Sequence, residues 1–137
     1  MKETVMKDFT LYQEALALKQ LGFDEPCLGS WEIEKTDTPT YTHSITTSYK
    51  NSNHPIGKTA APTYSQAFRW FREKHNLKSC IMFRTSMEDN KEYYDWLIKG
   101  QEVVYRHFNT YEEAELACLQ HLIKIVKEQQ KWKHITY

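Results

Sequence analysis

The chain has 137 residues, a length that suits one domain and can bury a core without metal or disulfide staples. Its 18 basic and 18 acidic side chains cancel, so it lacks the Lys and Arg excess with which a dedicated nucleic-acid binder displaces counterions. Aromatic residues make up 14% and are expected to carry much of the core.

Cys27, Cys80 and Cys118 are odd in number, far apart in sequence and outside any CxxC pair. They read as free thiols in a reducing compartment, and a cytoplasmic location is expected. The charged start "MKETVMKDFT" has no apolar core of a signal peptide. No apolar run approaches the ~18 residues that cross a bilayer.

The first helix is expected to start at Thr10, where Thr10-x-x-Gln13 has the form of a capping box. Leu11, Ala15 and Leu18 form its apolar stripe, and Gly22 suits the left-handed residue that ends it. Pro26 breaks helix, and Cys27 to Glu34 reads as a strand with Gly29 a bulge or close contact. Residues 36–60 read as a long loop or edge-strand insertion rich in Thr, Ser and Asn, with Pro39 and Pro55 as breakers. Within it, "YTHSITTSY" (Tyr41–Tyr49) has the β-branched and aromatic content of a solvent-washed strand, and "KNSNHPIGKT" reads as loop.

Pro62 and Thr63 open a second helix with a second box, Thr63-x-x-Gln66, and the helix runs to about His75, where Asn76 ends it. Three strands are expected next: Ser79–Ser86, Lys91–Lys99 and Gln101–Phe108. "MEDN" turns the first pair and Gly100 pivots the second, which makes an antiparallel meander. The last helix has a third box, Thr110-x-x-Glu113. Leu116, Cys118, Leu119, Leu122, Ile123, Ile125 and Val126 cover roughly half its circumference, with Glu113, Gln120, Lys124, Lys127 and Glu128 opposite. So wide an arc fits a helix across the sheet with another helix beside it, or a homodimer contact. The order of elements predicts an α+β fold: a mainly antiparallel sheet of four or five strands with two or three helices on one face.

Most chemical motifs fail on spacing. "IGKT" (Ile56–Thr59) looks like the end of a phosphate-binding loop, but Ser52 stands where that loop needs glycine and Pro55 removes a donor. The six histidines form no HxxxH or HExxH pair, and no metal site or cofactor is expected. Cys118 and His121 lie three apart, yet one falls in the apolar arc and the other on the polar side; a core thiol beside a surface histidine is the better reading. The carboxylates of "MEDN" with Glu92 and Asp95 lack the spacing of an EF-hand loop.

Two features carry more weight. Cys80 starts one predicted strand and His107 ends another, and strand pairing could bring them together as a thiol–imidazole pair. Asp95 interrupts the large apolar residues of "YYDWL". By alternation it shares a face with Tyr93, while Tyr94, Trp96 and Ile98 take the helix-facing side. The Tyr93/Asp95 face is then expected to be open, with Tyr105 or Arg106 nearby. In "APTYSQAFRWFREKH" (Ala61–His75), Tyr64, Ala67, Phe68, Phe71 and His75 gather on one side of the helix, with Arg69 and Arg72 on a flank. Trp70 falls outside that stripe; it either packs under a neighbouring element or stands free as a contact for a partner.

The blocks "LGFDEPC" (Leu21–Cys27), "APTYSQAFRWFREKHNL" (Ala61–Leu77) and "YEEAELACLQHLIKIV" (Tyr111–Val126) cover about a third of the chain. In this order they resemble small proteins of unknown role encoded by phages, prophages and mobile elements of gut Bacteroidetes. The resemblance implies an intracellular accessory protein and transfers no catalytic residue.

The expected function is therefore protein binding without catalysis, with Trp70, Tyr93, Asp95 and Tyr105 as contact residues and a host or phage protein as partner. The alternatives are a small enzyme using Asp95, His107 or Cys80, and a weak nucleic-acid contact through Arg69, Arg72 and the basic "KWKH" tail.

Overall fold

The structure is a computed structural model, and it describes residues 7–33, 38–44, 46–53, 58–103 and 105–135. The expected strand end at Glu34, the residue Ile45 and the Gly57 of the phosphate-loop match lie outside them. The fold is α+β. Helix α1 (Tyr12–Gln20) precedes strands β1 (Gly29–Ile33), β2 (Pro39–His43) and β3 (Lys58–Ala61). Helix α2 (Tyr64–His75), strands β4 (Ser79–Thr85) and β5 (Glu92–Ile98) and helix α3 (Tyr111–Ile135) come after them. The chain divides into two compact units, residues 1–67 and 68–137, with the boundary inside α2. The single sheet expected from the sequence is instead two antiparallel sheets, β2-β1-β3 and β4-β5.

In the first unit, β1 is the central strand. Trp31 faces Tyr41 of β2 and Thr59 of β3 across the ladders. Phe9, Ala15, Trp31 and Ala61 form its core cluster, with Tyr12 and Tyr41 packed against it. The Trp31 indole donates to the Thr10 carbonyl at 2.8 Å, so this buried ring keeps its polar group satisfied. Gly29 lies under the ring of Tyr41, which occupies the space where a Cβ would stand. The expected close contact is therefore real, and its cause is an aromatic cap over the strand. Pro39 starts β2, the position in a strand where a missing N–H costs least.

The first helix does not use its capping box. Its N-cap is Leu11, without a side-chain cap. The Thr10 hydroxyl donates instead to the Pro62 carbonyl at 3.0 Å, because Thr10 is buried beside the strand that leads into α2. The other end behaves as expected. Gly22 takes φ 102°, with bonds from Gly22 N–H to Lys19 O (3.1 Å) and Phe23 N–H to Leu18 O (2.9 Å). That is the Schellman pattern that closes a helix on a left-handed residue.

The described part of residues 36–60 holds more order than its composition implies. β2 ends at His43, so only the first part of the expected Tyr41–Tyr49 strand forms; Tyr49 makes an isolated bridge with Cys27. β3, expected as loop, pairs with β1. Asn51 is buried and ties both sides. Its Nδ2 donates to Phe23 O at 2.9 Å and its Oδ1 accepts the Ala60 N–H at 2.8 Å. An Asn that satisfies two distant backbone groups does the work that local propensity does elsewhere.

The other two caps read from the sequence hold, Thr63 in the first unit and Thr110 in the second. Thr63, at the unit boundary, accepts the Gln66 N–H (3.1 Å), and Thr110 accepts the Glu113 N–H (3.1 Å). Gln66 does not complete its box: its side chain donates to Glu25 and to the Pro26 carbonyl. Asn76 takes φ 54° after α2. β4 and β5 pair from Ser79↔Ile98 to Thr85↔Glu92. The expected third strand over Gln101–Phe108 does not form among the described residues. One bridge, Tyr94↔Phe108, remains of it. Helix α3 packs on both strands of the hairpin, burying Ala114, Cys118, Leu119, Leu122, Ile123 and Val126. Its basic end is helical through Ile135. No helix among the described residues is long and apolar enough to cross a membrane.

Gly29→Ala forces Tyr41 off the strand and should cost about 1–3 kcal/mol, the usual cost of overpacking. Urea unfolding checks this, and an unchanged midpoint would contradict the aromatic cap.

Candidate functional site

β5 places Tyr94, Trp96 and Ile98 toward α3, as alternation requires. The Tyr94 ring meets Tyr111 edge-on at 6.1 Å, and the Trp96 ring lies against His121 at 4.9 Å. The opposite face is not open at Asp95, which is 0% exposed. The segment after Gly100 folds back beside β5 and covers the carboxylate. Asp95 Oδ1 accepts the N–H of Arg106 at 2.9 Å and that of His107 at 2.8 Å. One residue on, the Phe108 N–H donates to Tyr94 O at 2.9 Å and Tyr94 N–H donates to Phe108 O at 2.8 Å. Asp95 is therefore a latch. It satisfies two consecutive amides, of which a regular third strand would have bonded only one to the ladder, because N–H groups alternate in direction along a strand.

His107 holds the left-handed φ of 56°, which turns its ring onto Tyr93 at 4.9 Å. Its Nδ1 stands 3.6 Å from Asp95 Oδ2, an atom buried without a hydrogen bond. The pair has the layout of a base and its orienting carboxylate, but no hydroxyl or thiol hydrogen-bonds the His107 ring among the described residues. Cys80 pairs opposite Leu97, and no hydrogen bond or ion pair joins it to His107 among the described residues. The other thiols are unsuited to attack: burial pushes Cys27 and Cys118 up to about 12, so both are protonated at neutral pH. No cluster of three His, Cys, Asp or Glu side chains able to hold a metal occurs among the described residues.

Tyr105 is 51% exposed, with the Arg84 guanidinium 4.1 Å from its ring centre. Tyr93 donates its hydroxyl to Asp89 at 2.7 Å in the hairpin turn. These two expected contact residues thus sit together on the hairpin face. Trp70 does not join them. It is 4% exposed and meets Phe71 and His75 edge-on at 5.0 and 4.8 Å. The ring left over by the helical wheel is packing.

Two features went unseen in the sequence. The first is a cleft of about 350 Å³ lined by Trp96, Arg106, Phe108, Ala117, Gln120, His121 and Lys124. Its walls come from β5, the latched segment and α3, so no local motif announces it. The second is an aromatic surface at the hairpin: Phe83, 66% exposed and opposite Tyr94, with Met87 fully exposed in the turn.

Set against protein-family models, curated proteins and solved structures, the chain matches none.

Asp95→Ala strands two part-buried amides and should cost about 3 kcal/mol, since each lost bond to a charged acceptor is worth roughly 1.5–3 kcal/mol. Asp95→Asn, which keeps an accepting oxygen, should lose less; equal losses in chemical denaturation would contradict the latch. Native thiol labelling should modify Cys80 quickly and spare the buried Cys27 and Cys118 until unfolding. Burial and then Lys124 lower the pKa of His121, with Arg106 acting the same way and Glu128 against it; burial and Lys133 lower His75. The unfolded chain then takes up protons first, near the ordinary value of about 6.5. Stability should fall as pH drops below that value, and His121→Gln should make the fall shallower in urea titrations.

Proposed function

We propose that this chain is a non-enzymatic accessory protein that binds another protein along β4. One observation carries the reading. Among the described residues β4 is bonded on a single edge, to β5, and it presents Phe83 at 66% exposure. An unpaired strand edge offers N–H and C=O groups to an incoming strand, and an exposed ring beside it supplies a pocketable anchor. Tyr94 and Tyr111 extend that aromatic surface on the same side of the hairpin. The chemistry elsewhere supports binding over catalysis, because the Asp95 oxygen Oδ1 is engaged by amides and two thiols are buried.

The likeness to phage and mobile-element proteins agrees with a partner from the host cell, and the reduced cytoplasm suits three unpaired thiols.

Phe83→p-benzoylphenylalanine, expressed in the cell that makes the protein, should photo-cross-link to one discrete partner. The same substitution at Leu28, exposed in the first unit, should not. Phe83→Asp should lower recovery of that partner at least about tenfold while shifting stability within about 0.5 kcal/mol, as expected at an exposed site. No adduct, or the same adducts from both positions, would overturn the reading.

A further inference from the structure

The cleft between β5, the latched segment and α3 goes beyond the strand-edge reading. Its lining holds two cationic side chains, Arg106 and Lys124, and no carboxylate. Both are exposed, and neither has an ion-pair partner among the described residues. Two like charges in the lining of one cleft bias it toward anions, and Glu128, whose charge also reaches His121 from outside the lining, opposes this only in part. The rest of the lining is mainly aromatic. Trp96, His121 and Phe108 contribute rings, and Ala117 leaves room between turns of α3. Trp96 also keeps a buried indole N–H without an acceptor among the described residues, whereas Trp31 has one. The volume of about 350 Å³ falls at the small end of ligand sites.

We propose that this cleft binds a small phosphomonoester carried on a planar ring. The ring lies against Trp96, Phe108 and His121, and the phosphate is held by Arg106 and Lys124. The charge fits: a phosphomonoester carries about −1.5 to −2 at neutral pH, which two cations balance. Arg offers a planar fork for two phosphate oxygens, and Lys adds a point charge. Two sources share this chemistry, a nucleoside monophosphate and an aryl phosphate, and they differ in ring and linker.

Calorimetric titration of the full chain at low salt separates them, with adenosine monophosphate, phosphotyrosine, adenosine, tyrosine and inorganic phosphate as probes. One phosphorylated probe should bind at least about tenfold tighter than both its unphosphorylated parent and inorganic phosphate. The tighter of the two identifies the ring. Arg106→Gln and Lys124→Gln should each weaken binding about tenfold, in line with loss of one charge-assisted bond. Lys127→Gln, exposed on α3 outside the lining, should not. Indole N–H resonances assigned through Trp96→Phe should show Trp96 as the perturbed ring. The proposal is overturned by equal binding of inorganic phosphate, by Lys127→Gln weakening affinity as much as Lys124→Gln, or by no saturable binding at millimolar probe.

Discussion

A single buried carboxylate organises the second unit. Asp95 sits in a strand whose neighbours are Tyr94 and Trp96, and burial there is costly unless its oxygens are bonded. Two backbone amides, from Arg106 and His107, meet that need through one oxygen. The exchange works both ways. The carboxylate gains charge-assisted bonds, and a segment that leaves the ladder keeps its N–H groups satisfied. Because the amides belong to consecutive residues, the latch also sets the path of the adjoining chain. Phe108 is brought to its bridge with Tyr94, and Arg106 to the rim of the cleft.

The polar groups left over in this unit are concentrated near that latch. Asp95 Oδ2 and Trp96 Nε1 belong to adjacent residues, and neither has a hydrogen-bond partner among the described residues. In the first unit, buried Thr10, Asn51 and Trp31 are all bonded. Native proteins leave few such atoms unpaired, and those that persist tend to mark places where something other than stability shapes the structure. The proposed cleft and the hairpin edge lie on either side of β5, so β5 supports two surfaces of different chemistry.

How legible each feature is in the sequence depends on the range of the interaction behind it. Gly22, Thr63, Asn76 and Thr110 act on backbone within a turn of themselves, and each behaves as its local pattern implies. The apolar arc of α3 is equally local and equally legible. Thr10 has the same pattern as Thr63 but bonds to Pro62, which lies 52 residues away. β3 has no strand-like composition; it forms because β1 offers an edge and Asn51 anchors Ala60. The third strand of the meander does not form among the described residues, where Asp95 takes the Arg106 and His107 amides.

The site divides the same way. Asp95 is conspicuous because one charge stands among rings, but alternation alone puts it on an open face, since nothing in the order of residues tells which backbone returns to cover it. Trp70, which the helical wheel leaves outside the stripe of α2 with its burial open, is buried, with Phe71 and His75 of the same helix edge-on to it. Arg106 lies in the latched segment and His121 and Lys124 on α3, and only folding brings them to one cleft.

Native-state hydrogen exchange at the Arg106 and His107 amides tests the latch most directly. Both lie outside regular structure, so an ordinary loop would leave them at near-random-coil rates. The account predicts exchange as slow as at the β5 amides, and fast exchange once Asp95 is replaced by Ala. Rates near those of a free chain in the unaltered protein would contradict it.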